Sequence, residues 1–273
     1  MKRYIKDTTT YITEYNSLSE FIDDISSLPN NRFYPDGHSS ERKEREGGTF
    51  YGTVDYPQAA YMLTHGWDAA AKKMAEKVKT TRTVSLMSRS SKPSYGVVGS
   101  QASIPRYLQG IPTNMVSRQT TYAKQKVVTI TKGITYSSYW TTNQILEECI
   151  KALQIIQSLE NGGHRVRLNV MLATTCDDDI HTHICKVCIK QPDERLNISK
   201  MSFALAHPSM LRRFFFKWIE VDPFAEHCLG WSYGYPAALP IKEKAMETNE
   251  YYLPEKIDDI DALIERFSKG ECR

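Results

Sequence analysis

The stretch Thr174 to Cys188, TTCDDDIHTHICKVC, gathers three cysteines, two histidines and three aspartates within fifteen residues. Imidazole nitrogen and thiolate sulfur are the donors that a tetrahedral zinc ion takes, and His-x-His on an extended strand sets two rings about 7 Å apart on one side. Strand alternation aligns His181, His183 and Cys185 on one face and turns Cys188 to the other. Cys185 and Cys188 form a Cys-x-x-Cys pair that needs a tight turn to converge on a metal, whereas CKVCIK reads as continuous strand. These demands compete. The residues favour a hairpin tip with polar histidines and buried thiols, zinc being the alternative. Asp177, Asp178 and Asp179 read as solvating a turn, because three adjacent carboxylates cannot all aim at one ion.

Two further constellations could carry chemistry. In ALAHPSMLRRFFFKWIE, Pro208 holds His207 out of helical geometry and opens a helix of its own. His207, Arg212 and Arg213 could clamp an anion; the favoured reading has the arginines pairing with neighbouring acids such as Glu220. The second is AKKMAEKVKTTRTVSLMSRSSKPSYG, which sets Lys72, Lys73, Lys77, Lys79, Arg82, Arg89 and Lys92 against the single acid Glu76. Such a strip can follow a phosphate backbone, with binding that weakens steeply as salt rises. No Gly-x-Ser-x-Gly elbow, His-Glu-x-x-His helix or Gly-x-x-x-x-Gly-Lys phosphate loop occurs in the chain.

Composition bounds these readings. With 273 residues the chain can bury a proper core, and its formal charge of +3 makes any polyanion contact a matter of a local patch. Sixteen tyrosines against nine phenylalanines suit half-buried faces with one wet end. No run of about twenty apolar residues and no signal-peptide core are found, so a cytosolic protein without membrane contact is expected. Six scattered cysteines point to reduced thiols.

The elements that must position these groups follow from periodicity. RYIKDTTTYITEY reads as extended, and SLSEFIDDISSL as a short helix with Leu18, Phe21, Ile22 and Ile25 on one face. A polar loop leads to a helix capped by Asp55, broken or bent at Gly66 and continuing through Val78, and then to an irregular stretch ending in a helical turn near Tyr107. KVVTITKGITYS is a strand, TTNQILEECIKALQIIQSLENGG a helix with the stripe Ile145, Cys149, Leu153, Ile156 and Leu159, and HRVRLNVMLATT a second strand. Strand, helix and strand with short joints predict a right-handed crossover and a parallel pair. HICKVCIKQ follows as a third strand in a hairpin with the second, and IDDIDALIERFSKG closes the chain as an amphipathic helix.

SIPRYLQGIPTNM, KVVTITKGITYSS, SLENGGHRVRLNV, VCIKQPDERLNISKMSFALAHPSMLRRFFFKWIE and the helix YPQAAYMLTHGWDAAAKKM together resemble a family of uncharacterised bacteriophage proteins. The second half also resembles a von Willebrand factor A-type domain. That resemblance implies a Rossmann-type α/β sheet with helices on both faces and a Mg²⁺ site, Asp-x-Ser-x-Ser, at the end of the first strand. GITYS keeps the hydroxyl positions as Thr135 and Ser137 but has Gly133 at the carboxylate position. Two hydroxyls without a carboxylate do not offset the dehydration of a divalent cation.

The sequence therefore predicts an α/β protein with an irregular α+β part over 1–120 and a von Willebrand factor A-like part over 121–273. The expected role is a non-enzymatic phage binding or adaptor protein with a protein partner and contact to DNA, in the host cytoplasm or the virion. No cofactor is expected. The alternatives are a zinc- or magnesium-dependent enzyme acting on nucleic acid or a nucleotide signal, and a virion or assembly protein.

Overall fold

The computed structural model describes residues 1–29, 39–46, 48–79, 90–121, 127–176, 180–223 and 233–269. The chain starts with the antiparallel hairpin β1 (Lys2–Asp7) and β2 (Thr10–Tyr15), followed by α1 (Leu18–Ser27), whose N-cap Ser17 accepts the Glu20 N–H at 3.1 Å. A 3₁₀ turn at Ser39–Glu41 precedes α2 (Tyr56–His65) and α3 (Asp68–Lys79). Asp55 caps α2 as its sequence predicts, accepting the Gln58 N–H at 3.0 Å. The joint after α2 requires glycine: Gly66 has φ of 90°, and a Cβ there would come to 2.5 Å of the Ser199 carbonyl oxygen.

The stretch expected to be irregular builds a small sheet of its own. β3 (Ser90–Gly96) and β4 (Gln101–Ala102) both pair antiparallel with β5 (Met115–Thr121), and α4 (Ile104–Leu108) supplies the helical turn near Tyr107.

Next come β6 (Val127–Gly133), α5 (Thr142–Asn161), β7 (Arg165–Thr175) and β8 (Thr182–Lys190). β6 and β7 are parallel and β8 returns antiparallel beside β7, as the hydrophobic periods predict. A capping box between Thr141 and Gln144 starts α5, a feature that stabilises such a helix by about 1 kcal/mol. The remaining elements are α6 (Ile198–Ala206), a π-helical segment Met210–Phe215, α7 (Phe216–Val221), β9 (Tyr235–Pro236), α8 (Leu239–Lys244), β10 (Glu250–Leu253) and α9 (Ile260–Lys269).

The main sheet is mixed and runs β1-β2-β8-β7-β6-β10, with β9 beside the far end of β7. β2 lies parallel to β8 and β10 parallel to β6. Strands from both sides of residue 120 thus share one sheet, the expected parts 1–120 and 121–273 meeting at the β2–β8 pair.

The sheet is α/β, with its helices distributed unequally. On one face Val128, Ile130, Val166, Leu168, Val170, Leu172, Cys185 and Val187 meet the buried stripe of α5 together with α6, α1 and α9. α2 and α3 pack outside, on α6 and α5. Each fully buried Leu or Ile there contributes roughly 1.5–3 kcal/mol. The other face carries α8 over Ile12, Met171, Ala173 and Ile184. Its remainder is polar: Lys186 Nζ is 2.7 Å from Glu250 and 3.4 Å from Glu14, and Asn169 donates to Thr131 at 3.1 Å.

Candidate functional site

α3 presents the first part of the basic strip. Ala70, Met74 and Val78 face the core, so Lys72, Lys73 and Lys77 stand exposed on the outer side, with Lys73 and Lys77 one turn apart. Lys73 and Lys77 border a groove of about 950 Å³ between α3 and α5, which Glu76, Glu147 and Lys151 also line. Lys79 ends α3 and Lys92 lies in β3, opposite Gln119. Arg82 and Arg89 lie outside the described residues.

The strip extends further than the seven residues of its first stretch. From Lys77 to Leu146 the sequence holds ten lysines and arginines and no aspartate or glutamate. Apart from the buried Lys132 at the end of β6, those cations belong to α3, the small sheet and the segments flanking it. In the small sheet the Arg106 guanidinium lies 3.8 Å from the Tyr95 ring centroid and donates to the Thr113 carbonyl at 3.2 Å. Tyr107 (67 % exposed), Leu108 (78 %) and Val98 (84 %) leave apolar surface uncovered nearby. A count of acids over a longer window would have found the extent of this region from sequence.

The residues considered for zinc come together only in part. His183 and Cys185 share the helix-covered face of β8, opposite Thr174 and Leu172, while the register turns Cys188 to the other face beside Asn169, as alternation predicts. His181 precedes the strand. His183 stacks on Tyr11 at 5.0 Å, with His181 tilted against the same ring at 5.9 Å. Cys185 is fully buried, and desolvation raises its thiol far above the ordinary range. Among the described residues no three His, Cys, Asp or Glu side chains converge as ligands; Asp177, Asp178 and Asp179 lie outside them.

The anion-clamp residues divide into two roles. Arg213 is fully buried and donates to Thr53 Oγ1 (2.7 Å), the Thr53 carbonyl (2.8 Å) and the Ser40 carbonyl (2.8 Å). Glu220, two helical turns on, does not take Arg213 as the sequence suggests; it accepts the Ser40 N–H at 3.1 Å. Both side chains bond the 39–53 segment, which passes over their helix and brings unpaired main-chain groups with it, and Glu220 also accepts the Tyr233 hydroxyl. His207 is extended at φ −85°, ψ 132°, stacks on Phe203 at 4.7 Å, and accepts the Ser209 N–H at 3.1 Å. Desolvation, aided by the charge of Arg213, lowers its imidazole pKa to about 3, so His207 is neutral and structural.

Arg212 instead meets Thr135 and Ser137. All three line a cleft of about 270 Å³ at the carboxyl ends of β6 and β7, walled on one side by β9. Thr135 Oγ1 accepts the Ala173 N–H at 3.0 Å, and the Ser137 carbonyl accepts from Arg212 at 3.2 Å. No acid is among the described residues of this cleft, and its charged group is a guanidinium. A Mg²⁺ ion does not fit this donor set. Gly133, at the carboxylate position, sits against side-chain tips: a Cβ there would run into the Tyr252 hydroxyl and lie 2.8 Å from Glu255 Oε1, so these side chains would have to shift.

The model of a family described as Domain of unknown function (DUF7192) matches residues 3–268. The chain belongs to that family. The match to DUF7192 spans the hairpin, the small sheet and the strand-end cleft alike, so the DUF7192 unit contains both surfaces. No curated protein and no solved structure matches the chain.

Proposed function

We propose that this chain is a non-enzymatic binding protein that holds single-stranded DNA on α3 and the small sheet β3-β5-β4. The observation that carries the reading is the stretch from Lys77 to Leu146, with nine cations besides the buried Lys132 and no acid, joined to the exposed Lys72 and Lys73 and to the exposed Tyr107. Cations neutralise phosphates and release counterions, and tyrosine rings offer faces on which unpaired bases stack. A duplex keeps its bases stacked inside, so the aromatic component favours single strands.

The strand order β8-β7-β6-β10, with only β8 antiparallel among the four, supports reading this part of the sheet as a von Willebrand factor A-type platform. The resemblance to bacteriophage proteins supports a role in the host cytoplasm during phage transcription or replication, beside a protein partner.

Fluorescence anisotropy with labelled single-stranded and duplex DNA at two salt concentrations tests this. Single strands are expected to bind more tightly, with affinity falling as salt rises. Replacing Lys72, Lys73 and Lys77 by glutamine is expected to reduce the salt slope by about 2, at about 0.7 per phosphate contact. Tyr107→Ala is expected to cost about 1–3 kcal/mol of binding for one stacked base. Undetectable binding at low salt, or binding indifferent to these replacements, rejects the reading.

A further inference from the structure

The cleft at the carboxyl ends of β6 and β7 is independent of the basic surface, which joins β6 at its other end, at Val127. Arg212 is 2 % exposed. Its guanidinium donates to the carbonyls of Phe50, Ser137 and Trp140, acceptors that neutralise none of its charge. Three of its five N–H groups are so engaged by the described residues. The acid whose charge acts on it is Glu44, whose carboxylate is already accepting the Tyr51 N–H.

Thr174 faces the same cleft from the end of β7. It is 3 % exposed, and its Oγ1 is buried without a hydrogen-bond partner among the described residues. A buried cation whose hydrogen bonds go only to carbonyls, and a buried hydroxyl without a partner among the described residues, each disfavour the fold unless something answers them. One group with negative charge and lone pairs answers both. The walls specify the rest: Phe216 and Tyr233 stack at 4.0 Å and 14°, and Phe50 lies 4.5 Å from the guanidinium. The cleft volume of about 270 Å³ falls just below the roughly 300–1,000 Å³ of sites for drug-sized ligands.

We propose that this cleft binds a small organic oxyanion, one flat ring bearing a carboxylate or a phosphate, with the oxyanion on Arg212 and Thr174 and the ring along the aromatic wall. The polarity is opposite to that of a metal-ion adhesion site, which holds a cation at this end of its sheet. A guanidinium presents donors only and a hydroxyl can donate one proton, so a charged acceptor complements both.

Isothermal titration calorimetry of the full chain with sodium benzoate, phenyl phosphate and benzyl alcohol tests this. Saturable one-to-one binding is expected for one of the two ring acids, and which of them binds identifies the acidic group. Benzyl alcohol, which has the ring without the charge, is expected to bind about tenfold more weakly or less well still. Thr174→Val keeps the side-chain shape, and with Arg212→Lys each is expected to weaken the ring acid about tenfold or more. Should Arg212→Lys fail to fold by circular dichroism, Thr174→Val carries the test alone. No saturable binding of either acid, or full-strength binding by the Thr174→Val variant, overturns the proposal. Glutamine at Lys72, Lys73 and Lys77 is expected to leave benzoate and phenyl phosphate titrations unchanged, which separates this site from DNA binding.

Discussion

His207 shows how burial fixes the protonation of one side chain and, through it, a dependence of stability on pH. In the fold its pKa lies at about 3, against about 6.5 for an exposed imidazole. Between these values the unfolded chain binds a proton that the folded chain refuses, so stability rises with pH across this window. The contribution is fully present above about pH 6.5 and is lost as pH falls toward 3. His207→Asn retains an acceptor for the Ser209 N–H but removes the titration. Urea denaturation across the window is expected to show the wild type losing up to about 1.4 kcal/mol per pH unit more than the variant. At neutral pH the variant is less stable, because the stacking on Phe203 is gone.

The joint between α2 and α3 carries the same logic to secondary structure. Helix periodicity predicts a helix broken or bent at Gly66, and the glycine permits both the positive φ and the close approach of α6. Gly66→Ala is expected to destabilise the protein by about 1–3 kcal/mol, read as a lower midpoint in thermal denaturation, since its Cβ meets the main chain of Ser199 and not a yielding side-chain tip. The small sheet is the opposite case. SSKPSYG lacks regular apolar alternation, so it reads as irregular; β3 forms a sheet with β5 by pairing main-chain groups across the two segments.

For the molecule as a whole, the first fifteen residues are structural members of the main sheet. β2 covers the edge of β8 and α6 receives α2 and α3, so a fragment of residues 121–273 would expose a strand edge and an apolar helix face together. That fragment is expected to give no cooperative unfolding transition by circular dichroism, while the full chain gives one. A cooperative, soluble fragment would instead support the division at residue 120.

Local order along the chain determined β6, α5, β7, β8 and α9, because each carries its own hydrophobic period and its own start or stop residues. It also determined the extended His207 before Pro208, and the opposite facing of Cys185 and Cys188 once the strand between them is granted. Only the tertiary structure decided the parallel pairing of β2 with β8, since such a pair joins segments some 170 residues apart and leaves no local trace. It likewise decided that Tyr252 and Glu255 occupy the space beside Gly133, that Arg213 serves the 39–53 segment, and that Arg212 and Thr174 face one cleft. Sequence periodicity sets which side of an element is apolar. Which distant polar groups then meet is set by packing, where a buried donor takes the acceptor that the fold brings within reach.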